Sequence, residues 1–245
     1  SCQAMVAVDG KRAPGPLREL VEEGRAAMAR DLAAGASGTA ACAALSDLYD
    51  GLMVRLWQDA VTAAGAADAE LTLVATGGWG RREICPYSDI DFILLCDGAG
   101  RDQAKALADR LLYPLWDATI QVGHAVREPR AVARLARDDL ATATALLDVR
   151  YLAGSQGLAE ELRRATRAAI APGGNANDFV ARLALEKRRR HERFGDSLYL
   201  LEPNLKQGIG ALRDLATAVW AARARWGVAT VGELVGLGHV TARQA

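Results

Sequence analysis

The chain has 245 residues, with Lys+Arg and Asp+Glu at 30 each, so its formal net charge is zero. That balance argues against a bulk polyanion as partner and disfavours nucleic acid, because nonspecific binding of that kind needs clustered positive charge. An apolar fraction of 51% is ordinary for a folded protein. No run reaches 18 apolar residues and no basic-then-apolar leader opens the chain, so a cytoplasmic protein with no membrane partner is expected.

Alanine is abundant, aromatics make up only 5%, and Arg outnumbers Lys, which together predict a largely helical chain. Residues 1–16, with Pro14 and Pro16, read as a loose end. Leu17 to Ala34 has a helical pattern that Gly35 and Gly38 break. From Ala41 to Ala63, Leu45, Leu48, Leu52, Leu56 and Trp57 recur at helical spacing. Leu71–Ala75 reads as a short buried strand running into Gly77-Gly78, and Ile90–Cys96 as a second strand. Asp102–Trp116 is helix-like, Thr119–Val126 alternates as a third strand, and Pro129 starts a new element. From Ala131 onward the pattern is helical almost throughout, and the run Glu186–Glu192 reads as a solvated helix face. Cys2, Cys42, Cys85 and Cys96 show no CxxC spacing and read as reduced thiols rather than a zinc site.

The informative stretch is GGWGRREICPYSDIDF, residues 77–92. Side chains alternate along a strand, so Asp89 and Asp91 point the same way with their Cα atoms roughly 7 Å apart. Two carboxylates so placed suit one or two Mg²⁺ ions (Mn²⁺ as an alternative), which take carboxylate and phosphate oxygens together. Without a cation the pair would suffer like-charge repulsion and lost hydration. Gly77 and Gly78, free of β-carbons, let a phosphate chain approach the backbone amides, and Ser88 adds a hydroxyl donor. Arg81 could bind phosphate or simply pair with Glu83 or an aspartate. Neither a P-loop GKS/GKT nor a GxGxxG dinucleotide pattern is present.

This strand–GG–turn–SDID–strand stretch resembles the signature of the DNA-polymerase-beta-type nucleotidyltransferase superfamily. More closely, the segments VGHAVREP (122–129), LATATALLDVRYLAGS (140–155) and RHERFGDSLYLLEPNLKQGIGALRDL (190–215) resemble the uridylyltransferase domain of bacterial bifunctional PII-protein uridylyltransferase/uridylyl-removing enzymes. The likeness spans roughly residues 45–240. It implies an α+β fold, a small mixed sheet with helices followed by a helical domain. The expected division is a helical lead-in over 1–40, a catalytic core over 41–127 and a helical part over 128–245.

The resemblance also implies transfer of UMP from UTP to a tyrosine hydroxyl of a PII-type nitrogen-signalling protein. Asp89 and Asp91 would be the catalytic metal ligands, and Gly77, Gly78, Arg81, Ser88, Asn204 and Lys206 the nucleotide-binding residues. Lys206 would pair with phosphate and Asn204 with base or ribose, unless the 202–214 loop is instead latched in place by Arg213 and Asp214. The superfamily's third carboxylate has three candidates, Asp117, Asp138 and Asp148, and His191 reads more readily as structural than catalytic. Arg82 stands where the family generally has a small residue, commonly Gly, while Ile209 and Ala211 replace a usual Pro and Gly. The family's complete proteins also carry a His-Asp phosphohydrolase domain and two ligand-sensing domains. With only His124, His191 and His239 and no His-Asp pair, the chain is expected to be an excised part without uridylyl-removing activity. Two rival readings remain: a nucleotidyltransferase of the same fold with another nucleotide or acceptor, and a non-enzymatic regulatory module.

Overall fold

The computed structural model describes residues 15–66, 69–194, 202, 204–228, 230 and 232–243. Cys2, Pro14 and the rest of residues 1–14 lie outside the described residues, as do 195–201 and Pro203 of the 190–215 segment.

Two helices open the chain, α1 (Pro16–Ala33) and α2 (Gly38–Ala64). Pro16 is not part of a loose end: it takes the first turn of α1, where its missing N–H has no helical partner to lose. The Ser37 hydroxyl accepts from the Ala40 amide to cap α2, and Gly65, at φ 59, ends it in the left-handed region. There follow β1 (Leu71–Thr76), the single turn α3 (Gly77–Gly80), β2 (Ile90–Cys96), α4 (Arg101–Asp117) and β3 (Val122–Arg127). Thr119, expected to start the third strand, instead adopts φ 59 where the chain leaves α4, so pairing begins at Val122.

After α5 (Pro129–Asp138) and α6 (Leu140–Leu147) comes β4 (Arg150–Gly154), which the helical reading beyond Ala131 missed. The rest is helical: α7 (Gln156–Ile170), α8 (Asn177–Phe194), α9 (Leu212–Trp226) and the short α10 (Glu233–Gly236). The expected α+β architecture, a small mixed sheet with helices followed by a helical region, is what the chain adopts.

The sheet order is β3-β2-β1-β4. β1 runs antiparallel to both β2 and β4, while β2 and β3 are parallel, joined by α4 as the crossover that a parallel pair requires. Strand alternation divides the apolar side chains between two cores. Leu71, Leu73, Ile90, Phe92 and Leu94 pack with α2 and α4 residues such as Tyr49, Trp57 and Leu111. Val74, Ile93 and Leu95 pack on the other side with Val132, Leu146, Leu162, Phe179 and Trp220. Among the described residues no helix is long and apolar enough to cross a membrane.

Candidate active site

The antiparallel register pairs Thr76 with Asp91, so the end of β1 delivers Gly77 directly beside the carboxylate. Gly77 has φ 60, and a β-carbon there would stand 3.2 Å from Asp91 Oδ2. On the other flank the parallel register pairs Asp91 with Gly123, where a β-carbon would overlap Oδ1. Two glycines, one opening α3 and one on β3, therefore face the two oxygens of Asp91 without a side chain. Sequence reading missed Gly123, because the contact exists only in the β2–β3 register.

Asp91 is half-buried and its carboxyl is pushed up to about 6, first by burial and then by the charge of Asp89, with Lys206 pulling it down. Asp89, just before β2, is exposed. The structure thus brings Asp89, Asp91 and Lys206 into one electrostatic neighbourhood, although Lys206 is 115 residues further along the chain than Asp91. A divalent cation would remove the repulsion between the two acids, and the donor set of hard carboxylate oxygens fits magnesium or manganese. Among the described residues no third His, Cys, Asp or Glu joins them in a metal-holding cluster. Further coordination would have to come from phosphate oxygens or water.

The three candidates for a third acid lie elsewhere. Asp117 and Asp138 are exposed, at the ends of α4 and α5. Asp148 is fully buried at the end of α6 and is saturated by partners. It accepts from Arg81, from Arg223 Nη1 at 2.7 Å, and from the Trp220 indole at 3.0 and 3.1 Å. Burial pushes its carboxyl up while Arg81, Trp220 and Arg223 pull it down.

Arg81 is accordingly engaged, bridging Asp148 and Glu83 rather than pointing free into a binding site. A β-carbon at Gly80 would overlap the Asp148 carbonyl, which explains why the GGWG turn ends in a third glycine. On the opposite side of the same turn, Trp79 is buried and its indole donates to Asp50 at 2.9 Å. Arg150 grips Asp50 through two hydrogen bonds, at 2.5 and 2.9 Å, and donates to the carbonyls of Trp79 and Gly80. The α6–β4 junction therefore holds α3 from both sides, through Asp148 and Arg150. No local sequence signal assigns these two residues their roles, since the partners named here lie 67 to 100 positions away.

Ser88 closes the turn before β2. Its amide donates to the Cys85 carbonyl at 3.0 Å, its hydroxyl accepts from the Cys85 amide at 3.2 Å, and Pro86 occupies the favoured second position. In the later segment, the Asn204 side-chain oxygen accepts from the amides of Lys206 and Gln207 at 3.0 and 2.8 Å, so it builds the loop that presents Lys206. Asp214 latches that loop to α8: it accepts from the Gly210 amide, from buried Arg190 and from His191. Burial pushes Asp214 up, but Arg190, the Gly210 amide and His191 outweigh it and hold the carboxyl at about 2. His191 is thus a structural partner of Asp214. Arg213 instead lies with its guanidinium 5.5 Å from the Trp220 ring centre. Next to Gln207 a cleft of about 560 Å³ opens between α8 and the α5–α6 corner, lined by Arg182, Arg189 and Arg193 against Glu186 and Asp138.

Comparison with known proteins identifies the relatives of this chain. The profile of the GlnD PII-uridylyltransferase family matches residues 178–245, and that of the nucleotidyltransferase family DUF294 matches residues 23–134. A bifunctional uridylyltransferase/uridylyl-removing enzyme from Rhodospirillum rubrum is 41% identical over 176 residues, covering 72% of this chain and 19% of that protein. Its counterpart in Gluconobacter oxydans is 40% identical over 193 residues, covering 79% and 20%. The one in Novosphingobium aromaticivorans is 35% identical over 234 residues, covering 93% and 26%. The chain therefore spans only 19–26% of the length of these relatives.

Proposed function

We propose, from the premise that the chain matches the GlnD-type PII-uridylyltransferase/uridylyl-removing family and is nucleotidyltransferase-like, that it transfers UMP from UTP to a tyrosine hydroxyl of a PII-type signalling protein and releases pyrophosphate. The observation that carries this reading is Asp91: a half-buried carboxylate beside a second one, with Gly77 facing one oxygen and Gly123 the other. Nothing in the apolar packing of the sheet asks for that arrangement, whereas a bound cation and triphosphate do.

Asp89 and Asp91 would hold magnesium or manganese, which supplies neutralisation of charge at the α-phosphoryl group and the leaving pyrophosphate. Gly77 and Gly78 give the triphosphate close access to the backbone, and the Ser88 hydroxyl, whose oxygen already accepts, keeps its hydrogen for a phosphate oxygen. Lys206 adds a positive charge near Asp91. In this reading Arg81 and Asn204 act through what they hold in place, α3 and the Lys206 loop. The arginine-lined cleft takes in Gln207, the neighbour of Lys206, and none of Gly77, Gly78, Ser88, Asp89 or Asp91. We place the catalytic core over 41–127, after a lead-in over 1–40, with the helical part over 128–245 lending β4 to its sheet, in a cytoplasmic protein.

The test is incubation with each labelled nucleoside triphosphate, Mg²⁺ and a PII-type protein. UMP should appear on the acceptor, and Asp89→Asn and Asp91→Asn should each lower transfer by about a thousandfold or more while the fold is retained. AMP transfer, or no labelled acceptor, would favour the rival readings. Unchanged metal and triphosphate binding in both variants would sink the site itself.

A further inference from the structure

α3 is a helical turn of four residues, Gly-Gly-Trp-Gly. A single turn fixes several backbone dihedrals for few hydrogen bonds, and glycine gives up more conformational freedom than any other residue, so α3 does not hold itself. Its own bonds close it downstream: the Arg81 amide donates to the Gly77 carbonyl at 3.2 Å, Arg82 to Trp79 at 3.0 Å and Glu83 to Gly78 at 2.8 Å. The rest of the hold comes from outside. Trp79 is anchored through its side chain, by burial and by the indole bond to Asp50 of α2. Arg81 is also held through its side chain, by Asp148 and Glu83.

Arg150 acts on the main chain instead. The β4 register pairs it with Ala75, two residues before Gly77, and so brings its guanidinium to the turn. Four of its five N–H groups are engaged. Nη1 and Nη2 donate to Asp50, Nη2 donates also to the Trp79 carbonyl at 3.1 Å, and Nε donates to the Gly80 carbonyl at 3.3 Å. Among the described residues no other side chain is hydrogen-bonded to the main chain of α3. The two carbonyls end the same turn whose first residue, Gly77, lies beside Asp91 Oδ2. Neither Asp89 nor Asp91 is itself a partner of Arg150.

We propose that Arg150 is a positioning residue for the triphosphate: its fork fixes the Gly77–Gly80 main chain and thereby sets affinity for the nucleotide, while the hold of Asp89 and Asp91 on a divalent cation is independent of it. The nucleotide half rests on the proposed function; the fixing of the turn does not. The division follows from the geometry. Asp91 is placed by β2, through pairing with Thr76 on one side and Gly123 on the other, and needs nothing from Arg150. The main-chain groups that a phosphate chain would approach are placed by α3, whose end Arg150 ties down. Lysine cannot take over this role. It keeps the charge, but one ammonium does not reproduce a planar fork that spans a carboxylate and two carbonyls.

The test compares the wild type with Arg150→Lys by titration calorimetry, using Mn²⁺ alone and then Mg²⁺ with UTP. Affinity for UTP should fall about ten- to a hundredfold, as for a reacting group displaced by about 1 Å. Affinity for Mn²⁺ should stay within about twofold, the scatter of independent sites. Hydrogen exchange of the Arg81 and Glu83 amides, which close α3, should quicken at least about tenfold. In UMP transfer to a PII-type protein, the KM for UTP should carry the loss while kcat stays near the wild-type value. Asp50→Asn loosens the same fork without touching Arg150; it should weaken UTP binding in the same direction by less, and it carries the test if Arg150→Lys does not fold. UTP affinity within about twofold of the wild type in both variants, an equal fall in Mn²⁺ affinity, or unaltered exchange would overturn the proposal. If the wild type binds Mn²⁺ but no UTP while exchange quickens in the variant, Arg150 stands as the residue that fixes the turn and the proposed function fails.

Discussion

Asp91 and Asp148 both face the helices on the α5–α9 side of the sheet, and their surroundings treat them in opposite ways. Around Asp148 the chain gathers Arg81, Arg223 and the Trp220 indole, and leaves none of its side chain exposed. Around Asp91 it places two glycines, a second carboxylate and one distant lysine. The first acid is a joint between the α3 turn and α9; the second has a glycine facing each of its oxygens. What an aspartate does here follows from the charge balance of its neighbours and not from its depth, since the deeper of the two is the structural one.

That contrast can be broken most forcefully at the joint. Asp148→Ala removes the buried carboxylate that Arg81, Arg223 and the Trp220 indole share and should lower unfolding free energy by about 3–5 kcal/mol, read from urea denaturation. A loss under about 1 kcal/mol would mean the joint is not a joint. At the open acid, Gly123→Ala pushes a methyl group against Asp91 Oδ1 and should weaken Mn²⁺ binding about ten- to a hundredfold, measured by titration calorimetry. Unchanged affinity would show that the cradle is incidental.

Titration sharpens the same comparison more gently. Asp91 is raised in the folded protein to about 6 from an ordinary 3.8, so without metal it opposes folding fully above about pH 6, and the opposition disappears as pH falls below 3.8. Metal-free Asp91→Asn should therefore be more stable than the wild type at pH 7 and equal to it near pH 4. Asp214 has the reverse sign: held at about 2, it contributes stability that is complete above its ordinary 3.8 and is lost as pH drops toward 2. Denaturation midpoints of the wild type, Asp91→Asn and Asp214→Asn across that range should diverge accordingly. The smallest effect is expected at Arg82, a non-glycine residue at φ 63. Arg82→Gly relieves the left-handed strain but gives up an exposed ion pair with Asp47, for a net gain of about 0.5 kcal/mol in thermal or urea unfolding.

The elements that sequence reading located were those whose signals are local. Ile90–Cys96 alternates between two cores, and Gly77-Gly78 breaks the chain where β1 must turn. Arg82 was conspicuous as a departure from a small residue, and its positive φ supplies the reason for the usual glycine. β4 escaped because Arg150–Gly154 is five residues long, mostly half-buried, and follows an apolar helix without a breaker; its strand character comes from pairing with β1, some 80 positions earlier. Gly123 escaped for the same reason, and Asp148, though one of three candidates for a third acid, could not be told from Asp117 and Asp138. A buried acid looks like any other acid until Arg81 and Arg223 surround it, and a strand glycine gains meaning only when the register sets it beside Asp91.

The late arrival of β4 also bears on how the protein is made. β1 lies between β2 and β4, so a nascent chain that has emerged only as far as β3 presents one flank of its central strand with unpaired amides and carbonyls. Translation must deliver residue 154 clear of the ribosome before that flank closes, and Asp148 and Arg150 arrive in the same stretch to clamp the glycine turn. The sheet and its glycine turn are therefore expected to mature as one late event in synthesis, leaving β1–β3 dependent on a holdase or on speed to stay off other exposed edges.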